Sequence, residues 1–555
     1  MKAVSGMVDL LVRNARVLTM DPQRQRAEAV AIAGGRIVAV GGAEVAGLPA
    51  VRVIDAGGRT LLPGFVESHM HLFGGVELNH FHLGGVRGID SLRAAFGGFA
   101  LRRPLDGLLL GEGVDYGVLD HGVTRLDLDA VMAERPIAIR SMDHHTVWAN
   151  TAALEAAGLL YGAVMPHGHE VVIGADGLAT GELREFEAFD AVLALGGVSR
   201  MYLGIARGAE PAVWPSEAER AVDKEHLARG MAHCAAEGIT TLVSMDGNRY
   251  TLALLEEMRG EGRLMQRVKV PFHFKPGMDL AELDRAEAMR AEFSGEWVSS
   301  GFVKLFMDGV VDTRTAAMLE EYPGHPGERG ELLFSPKDFQ ALAVEIDRRG
   351  LQIAVHAIGD AAVRNTIDGY EAARVLNGER DSRHRIEHIE MIARSDIPRI
   401  AALGITASLQ PSHPPGAMDF SLVGLDCLAR ERWPDAYLWK SIVDQGAAVC
   451  FASDWPVTDV SVLRGLQASQ TRAPYGPDCA DERLGLMESL RAYTAGGAWA
   501  AHLEGVTGCL RVGLAGDLVL LGGDIEAVEA EGISGLGIAL TVCAGEITHQ
   551  AHDFA

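Results

Sequence analysis

The stretch PGFVESHMHLFGG, residues 63–75, is an apolar run that ends on two histidines one residue apart. Its length and apolar content predict a buried β-strand. Because side chains alternate between the two faces of a strand, His69 and His71 share one face, and Glu67 shares that face with them. The pair then has two explanations, which are packing within a core and joint coordination of one metal ion.

Seven further apolar runs follow along the chain, and helix-like segments separate most of them. These runs span residues 238–247, 266–274, 301–309, 351–359, 384–390, 404–410 and 447–454. Eight strands that alternate with helices predict an α/β fold, namely a (β/α)8 barrel of the TIM type. A ninth run, at 135–145, falls in the long gap between the first two strands, so we expect it to belong to an insertion.

The ends of the chain have a different texture from the middle. They hold short β-type runs with glycine-rich turns, such as AVAIAGGRIVAVGG (29–42) and GDLVLLGG (516–523). We therefore predict that residues 1–62 and 505–555 together form a small β-sandwich. The barrel then comprises residues 63–75 and 216–504, and residues 76–215 form an insertion that covers the barrel mouth.

Composition and charge exclude several classes of partner and location. The 555 residues are too many for one compact core. The net charge is −25, the acidic residues are scattered, and the sequence has no basic patch, so no nucleic-acid partner is expected. The first residues lack the features of a signal peptide, and no apolar window is long enough to span a bilayer. The six cysteines form no C-x-x-C pair. We expect a cytoplasmic protein with reduced thiols and no membrane partner, as a homodimer.

Metal-competent side chains end five of the eight predicted strands. They are His69 and His71 on the first strand, Lys304 on the fourth, His356 on the fifth, His388 on the sixth and Asp454 on the eighth. Strand ends meet at one mouth of a barrel, and imidazole and carboxylate groups bind zinc and similar ions. Each residue alone has an ordinary explanation, such as core packing for the histidines or helix capping for Asp454. Their joint occurrence favours a metal site.

Lys304 lies among apolar side chains in GFVKLFMDG, residues 301–309. Burial disfavours its charged form and lowers the pKa of the amine. A neutral amine reacts with carbon dioxide to give a carbamate, an anion whose two oxygens are able to bridge two cations. The alternative is an ordinary lysine that pairs with Asp308 or another acid, and the residue's chemistry alone slightly favours this alternative.

The ligand series resembles that of the metal-dependent amidohydrolase superfamily, and nearly the whole chain takes part in the resemblance. The closer similarity is to the amidohydrolase family 3 branch, which includes N-substituted formamide deformylases. It rests on LLPGFVESHMH, HHTVWANTAALEAAGL, ATGELRE, GITTLVSMDG, VKLFMDGVVDTRTAAM, QIAVHAIGD, HRIEHIE, FASDWPV and GLAGDLVLL. The chain departs from the family pattern at Glu67, His144 and 310–312, so the substrate of a relative does not transfer directly.

The resemblance implies a role for each ligand. His69, His71 and Asp454 would hold one divalent ion, for which zinc is the expectation, and His356 and His388 would hold a second. A carbamate on Lys304 would bridge the two ions. Asp454 would also act as general base towards a metal-activated water. The implied activity is hydrolysis of a C–N bond in an amide, formamide or N-acyl compound.

Three further residues are candidates for contact with the substrate. His145, from the insertion, is a catalytic candidate that would donate a hydrogen bond to the substrate carbonyl or the developing oxyanion, and Asp143 lies beside it. The alternative for this pair is an exposed polar cluster. Arg314 would hold a substrate carboxylate or pair with a nearby acid, and the structural pair is favoured.

Two other functions are compatible with the same scaffold. The first is opening of a cyclic amide or deamination of a ring, although deaminases of this superfamily commonly use one metal and lack the lysine that Lys304 would match. The second is a non-catalytic barrel scaffold. Such a protein would be expected to lose ligands, and all six are present.

Overall fold

The computed structural model describes residues 6–76, 81–101, 107–196, 208–211, 213–418, 420, 422–552 and 554. Segments 77–80, 102–106, 197–207 and 212 of the predicted insertion therefore lie outside the described residues. Among the helices of the described ranges, none combines the length and the apolar composition that crossing a bilayer requires.

Short strands make up the first 63 residues. They are β1 (Val8–Arg13), β2 (Arg16–Leu18), β3 (Arg26–Ala27), β4 (Ala29–Ala33), β5 (Arg36–Gly41), β6 (Ala50–Asp55) and β7 (Thr60–Pro63), with helix α1 (Ala43–Ala46) after β5. Four of them form a sheet in the order β5-β4-β1-β6. Apolar side chains of this sheet, such as Val12 and Ile32, are buried in one cluster with Leu518 and Leu540 from near the other end of the chain.

The next strand and helix are β8 (Phe65–Met70) and α2 (Leu72–Val76), and a separate layer of structure follows them. That layer contains β9 (Phe81–His82), α3 (Ile89–Ala100), β10 (Leu109–Val114), α4 (Arg125–Val131), β11 (Ile137–Ser141), β12 (Thr146–Ala149), α5 (Thr151–Ala157), β13 (Glu170–Ile173), β14 (Ala179–Arg184) and α6 (Phe186–Leu193). Its strands form one sheet in the order β13-β14-β12-β11-β10-β9, with apolar clusters of its own.

Strands and helices alternate through the middle of the chain. In order they are α7 (Glu217–Ala236), β15 (Ile239–Ser244), α8 (Arg249–Gly260), β16 (Arg267–Lys269), β17 (Phe272–His273), α9 (Leu283–Glu292), β18 (Val298–Ser299), β19 (Phe302–Phe306), α10 (Pro336–Arg348), β20 (Gln352–Ala357), α11 (Asp360–Asn377), β21 (Arg385–His388), α12 (Ile397–Ala402), β22 (Thr406–Leu409), α13 (Trp439–Asp444), β23 (Ala448–Phe451), α14 (Val462–Thr471), α15 (Leu486–Arg491) and α16 (Gly497–Ala500). Side-chain caps start several helices; Ser335, for example, accepts from the backbone N–H of Asp338 at the start of α10.

The strands of this middle region form two parallel sheets, β18-β16-β15-β8 and β17-β19-β20-β21-β22-β23. Two backbone hydrogen bonds connect the far edges of the sheets: Asp454 N–H donates to the carbonyl of His69 at 2.9 Å, and His71 N–H donates to that of Trp455 at 2.7 Å. The largest apolar core of the molecule includes side chains of these strands and of the helices around them.

The last strands return to the first ones. β24 (Leu518–Leu521), β25 (Ile538–Cys543) and β26 (Glu546–Gln550) complete a sheet in the order β26-β25-β24-β7-β2-β3. Both ends of the chain therefore share one sheet, in which β24 pairs with β7 in the antiparallel sense. Short 3-10 and π turns occupy Ala194–Gly196, Leu280–Glu282, Leu422–Cys427, Arg430–Asp435, Ala492–Gly496 and Ala530–Leu536.

The α/β prediction is confirmed, since each of the eight apolar runs contains a strand, but two runs are divided. The first run, LLPGFVESHMH with residue numbers 61–71, splits at Gly64 between the terminal sheet and the parallel sheet. A β-carbon at Gly64 would lie 2.3 Å from Oγ1 of Thr240, so glycine is needed for this close passage. The run 266–274 splits at Pro271, which has no N–H to donate to a ladder. The sandwich, the barrel closure and the domain bounds stay predictions.

Candidate metal centre

One cavity of about 1030 Å³ gathers every candidate site residue of the sequence. Its lining includes His69, His71, Asp143, His145, Lys304, Arg314, His356, His388 and Asp454. Most of them lie in or shortly after strands of the two parallel sheets, while Asp143 and His145 lie in the β11–β12 turn and Arg314 lies in the loop after β19. Their roles stay predictions, but the structure brings them together.

The tightest cluster of metal-competent atoms comprises His69, His388 and Asp454. One ligand atom from each lies within 4.8 Å of the others, and all three residues are buried. This cluster combines His69 and Asp454, which the resemblance assigns to one ion, with His388, which it assigns to the other. The first, sixth and eighth predicted strands therefore converge on one point.

The carboxylate of Asp454 lies among imidazole nitrogens. Its Oδ1 is 3.2 Å from Nε2 of His69 and 3.3 Å from Nε2 of His71, while its Oδ2 is 3.9 Å from Nδ1 of His388. Oδ1 nevertheless has no contact with the geometry of a hydrogen bond among the described residues. Although burial raises the pKa of this carboxyl, His69, His71 and His388 lower it more, so the pKa stays well below its usual value. A buried, ionised oxygen without a hydrogen bond fits a cation site.

Each histidine ligand candidate has one ring nitrogen occupied by a neighbouring oxygen. Nδ1 of His69 contacts Glu387 Oε2 at 2.7 Å, and Nδ1 of His71 contacts Asp246 Oδ1 at 2.8 Å. Nδ1 of His388 lies 3.0 Å from Gln410 Oε1, and Nε2 of His356 lies 3.0 Å from the carbonyl of Gly309. An acceptor at one nitrogen fixes the tautomer and leaves the lone pair of the other nitrogen for a metal.

Glu67 supports the backbone beneath these histidines rather than their rings. Its Oε1 accepts from the N–H of Ser453 at 2.9 Å and from that of His69 at 3.3 Å. Burial raises the pKa of this carboxyl to about 8, although the backbone donors oppose the shift. Glu67 thus links the first and the last of the predicted strands close to their ends.

Lys304 is buried without a polar partner. Its side chain is 1% exposed, and Nζ has no hydrogen-bond partner in the described ranges and lies 4.9 Å from the centre of the Phe306 ring. Burial lowers the pKa of the amine to about 8. The alternative pairing with Asp308 is wrong for the described structure, because Asp308 accepts three backbone N–H groups at 2.8–3.0 Å instead.

His145 faces the metal-site residues from the inserted layer. Its ring centre is 5.6 Å from that of His356, and its Nδ1 contacts Glu185 Oε2 at 2.8 Å. Although burial lowers the pKa of this imidazole, Glu185 raises it more strongly, to about 9. Asp143 accepts from the His145 N–H at 3.0 Å and from the hydroxyl of Tyr116 at 3.0 Å. The pair is buried, so the exposed-cluster alternative is wrong.

Arg314 lies on the wall of the cavity. Its Nε is 3.6 Å from Glu328 Oε2, which is too long for a hydrogen bond, and Nε has no other partner in the described part of the chain. The loose pair with Glu328 matches the favoured structural expectation. The same geometry leaves the guanidinium available to a ligand in the cavity.

Backbone strain is concentrated at this site. Six non-glycine residues in or beside the cavity wall have positive φ: His144 (66°), Glu185 (63°), Arg314 (61°), His388 (76°), Ile389 (49°) and Asp454 (58°). Each such conformation costs about 1–3 kcal/mol and persists where the surroundings enforce it, commonly at functional sites. These positions lie at the end of a strand or in the loops that form and flank the cavity wall.

The amidohydrolase family matches residues 52–549 of the chain. The chain belongs to the amidohydrolase family. This membership confirms the resemblance and makes the protein a hydrolase of the class that acts on carbon–nitrogen bonds, so the non-catalytic scaffold is not supported.

Three known proteins illustrate the relationship of this amidohydrolase to others. Protein YtcJ of Bacillus subtilis is 29% identical over 547 residues, covering 96% of the chain and 98% of YtcJ. The N-substituted formamide deformylase of Arthrobacter pascens is 26% identical over 546 residues, covering 94% of each chain. The crystal structure of an uncharacterised metal-dependent hydrolase from Pyrococcus horikoshii is 22% identical, with a TM-score of 0.69 over 95% of this chain and 99% of that one.

Sequence reasoning missed the acceptors that hold the histidines of this amidohydrolase. Asp246, Glu387 and Gln410 contact ring nitrogens, and Glu185 contacts His145. A signal was present, because Asp246 and Gln410 follow strands directly and Glu387 precedes a predicted ligand. Polar residues at the ends of neighbouring parallel strands meet at one edge of the sheet.

Proposed function

We propose that this amidohydrolase cleaves the C–N bond of an amide, formamide or N-acyl compound at a divalent metal site, with zinc as the expected ion. The observation that supports it most is the convergence of His69, His388 and Asp454 within 4.8 Å. Imidazole and carboxylate donors suit zinc, and the acceptors behind each imidazole match the second layer of contacts usual for metal-binding histidines.

His69, His71 and Asp454 would hold one ion, and His356 and His388 would hold a second. Lys304 would carry a carbamate between them, because its amine is buried and has no hydrogen-bond partner in the described residues. Divalent cations bound here would acidify water and polarise the substrate carbonyl. The donor set and the unpaired Asp454 Oδ1 fit such ions.

Asp454 is the proposed general base. Its depressed pKa keeps the carboxylate ionised at neutral pH, so one oxygen takes a proton from the attacking water. The same oxygen then returns the proton to the departing nitrogen. The burial of Asp454, which is 6% exposed, excludes competing bulk water from this exchange.

His145 is the proposed donor to the substrate oxygen. Glu185 holds Nδ1, so Nε2–H is the group that remains for a ligand. A raised pKa of about 9 keeps the imidazole cationic at neutral pH, which strengthens a hydrogen bond to developing negative charge. Asp143 acts on the backbone of His145, and Arg314 is the proposed contact for an acidic substrate group.

The proposed architecture has the two parallel sheets as one (β/α)8 barrel. The hydrogen bonds from Asp454 to His69 and from His71 to Trp455 support closure between the first and last strands, and β16 and β17 are separated by only two residues. Residues 1–62 and 505–555 would form the sandwich, and 76–215 would cover the mouth. A cytoplasmic homodimer without membrane or nucleic-acid partners stays a prediction, which light scattering and cell fractionation test.

The decisive experiment measures metal content and turnover together. Protein purified without chelator is assayed with N-formyl, N-acyl and cyclic amides, before and after loading with zinc, manganese or cobalt. We expect bound metal and hydrolysis of at least one class, with Asp454→Asn inactive. Less than about one ion per chain, with no activity after loading, would contradict the proposal. Preference for cyclic amides would favour ring opening over acyclic hydrolysis.

A further inference from the structure

A second, smaller chamber also borders the metal-site residues. It has a volume of about 50 Å³ and borders His356, His388 and Asp454, which the wide cavity also borders. One water needs about 10–15 Å³ of such space, so the chamber has room for roughly three or four water-sized groups. An ammonium or methylammonium group fits this volume, whereas a benzyl group does not.

The chamber and the wide cavity differ in the lysine and arginine content of their linings, although acidic side chains line both. Carboxyl groups of Asp115, Asp143, Asp312 and Glu390 line the chamber, and none of the described residues around it is lysine or arginine. Asp115 pairs with Arg87 at 3.0 Å. Burial and the neighbouring carboxyl groups raise the pKa of Asp312 to about 8. The lining therefore has more carboxyl groups than cationic groups, although the His145 imidazole, which is cationic at neutral pH, lines the chamber as well.

The wide cavity has basic side chains in its wall. Lys275, Arg184, Arg314 and Arg329 all line it, alongside several acids. An anionic part of a substrate or product is therefore better accommodated in the wide cavity than in the chamber. A cationic part has the opposite preference.

His413 supplies an independent indication of a ligand. It lines the chamber and is only 6% exposed, yet its Nε2 has no hydrogen-bond partner in the described part of the chain. Its ring is parallel to that of His388, with centres 6.0 Å apart, and its Nδ1 lies 3.9 Å from Glu390 Oε1. Each ring nitrogen of an imidazole donates or accepts a hydrogen bond, so a buried one without a protein partner calls for a polar ligand.

Aromatic rings complete the chamber. Tyr116, Phe420 and Tyr437 line it together with the carboxyl groups. Aromatic faces and carboxylates both attract cations, and an ammonium group donates several hydrogen bonds while accepting none. The lining thus matches a compact ammonium ion in size, charge and hydrogen bonding.

We propose that this chamber binds the nitrogen side of the scissile bond as a compact ammonium group, while the acyl side lies in the wide cavity. The inference rests on the proposed amide hydrolysis. In that reaction the C–N bond breaks, the oxygen of water joins the carbonyl carbon, and both protons of water end on the nitrogen. The products are a carboxylate and an ammonium ion, and the two cavities accept one each. Primary and N-methyl amides are the substrate class that this arrangement selects.

The test titrates methylammonium chloride into the metal-loaded, full-length protein by calorimetry, with sodium chloride as the ionic control. We expect binding at one site per chain and no binding of benzylammonium to that site. Glu390→Gln removes one carboxyl group from the chamber and should weaken binding roughly tenfold or more, whereas Asp312→Asn, at a group whose pKa is about 8, should weaken binding less at neutral pH. Glu328→Gln makes the same chemical change in the wide cavity and should leave binding unchanged. Metal content and thermal unfolding establish that each variant is folded and loaded.

The inference is overturned if methylammonium does not bind. It is also overturned if all three variants bind methylammonium with equal affinity, or if Glu328→Gln weakens binding as much as Glu390→Gln does. The binding measurement needs no turnover, so it is independent of the proposed function. Methylammonium binding in a protein that hydrolyses no amide would contradict the proposed function but would still support an ammonium site in the chamber. Hydrolysis that releases benzylamine as readily as methylamine would contradict the proposed ammonium subsite but would still support the proposed amide hydrolysis.

Discussion

Nδ1 of His69 lies 2.7 Å from Oε2 of Glu387, although 318 positions separate the two residues in the sequence. Arg385 holds the same carboxylate through two contacts of 2.9 Å. This chain of contacts fixes the imidazole with Nε2 towards Asp454. Metal affinity in this amidohydrolase should therefore depend on residues that do not touch the metal.

Asp246 offers a test of that dependence, because its carboxylate contacts His71 Nδ1 at 2.8 Å and accepts from the backbone N–H of Phe73 at 2.6 Å. Asp246→Asn keeps the shape but removes the charge beside His71 Nδ1. We expect metal affinity to fall about 10–100-fold, as measured by competition with a chelator. Asp176→Asn, at a half-exposed acid of the inserted layer, is the control and should bind metal normally. Equal affinities for the two variants would contradict the supporting role of Asp246.

Substitution of Lys304 tests whether this residue carries the proposed carbamate. Lys304→Ala should lose activity, and a small carboxylate such as acetate should restore part of it by supplying the missing anion. Lys304→Arg should stay inactive, because a guanidinium remains charged and does not form the carbamate. In the native protein, carbon dioxide uptake should increase as pH rises through about 8, where the buried amine loses its proton. An unmodified Lys304 in the mass spectrum of active, metal-loaded protein would rule the carbamate out.

The strands of the fold were predictable because their apolar side chains are local features of the sequence. Every run expected in the middle of the chain contains a strand, from Phe65–Met70 to Ala448–Phe451. The divisions at Gly64 and Pro271 depend on which sheet each half joins. Gly64 is required by the approach of Thr240, which lies far away in the sequence, and no local pattern indicates such a contact.

The ligands were predictable for a similar reason, since each lies in or shortly after one of the predicted strands. The residues that accept hydrogen bonds from these histidines were harder to predict. An aspartate such as Asp246 is common in loops, and its role becomes visible only when the fold places it beside His71. The acidic chamber was not predictable at all. Asp312, Glu390 and His413 come from three different loops, and only the folded chain places them around one space.

The junction between the terminal sheet and the parallel sheet gives a prediction about stability. Nη1 of Arg267, in β16, lies 2.5 Å from Oδ2 of Asp517, directly before β24, and both side chains are 1% exposed. Asp517→Ala leaves a buried arginine charge without this partner and should lower the free energy of unfolding by about 3–5 kcal/mol. The exposed pair of Arg26 and Glu526 is the control, and Glu526→Ala should cost about 0–1 kcal/mol. Similar denaturation midpoints for the two variants would contradict the prediction.

His145 tests the proposed donor to the substrate oxygen. His145→Ala should lower kcat about 10²–10³-fold while metal content stays unchanged, because the donor is lost but no ligand is. Glu185 raises the pKa of His145 to about 9, so the cationic donor is present below that pH and disappears as the pH rises through it. The rate should therefore fall on the alkaline side near pH 9.

Glu185→Gln separates this role of His145 from a purely structural one. The amide keeps an oxygen near Nδ1 but removes the charge that raises the pKa, so the alkaline limb of the pH–rate profile should move to lower pH. A structural effect would instead lower the rate at every pH by the same factor. Glu187→Gln, beside His169 on the same cavity wall, is the matched control and should leave the limb in place. An unshifted limb in Glu185→Gln, or full activity in His145→Ala, would remove His145 from the catalytic machinery.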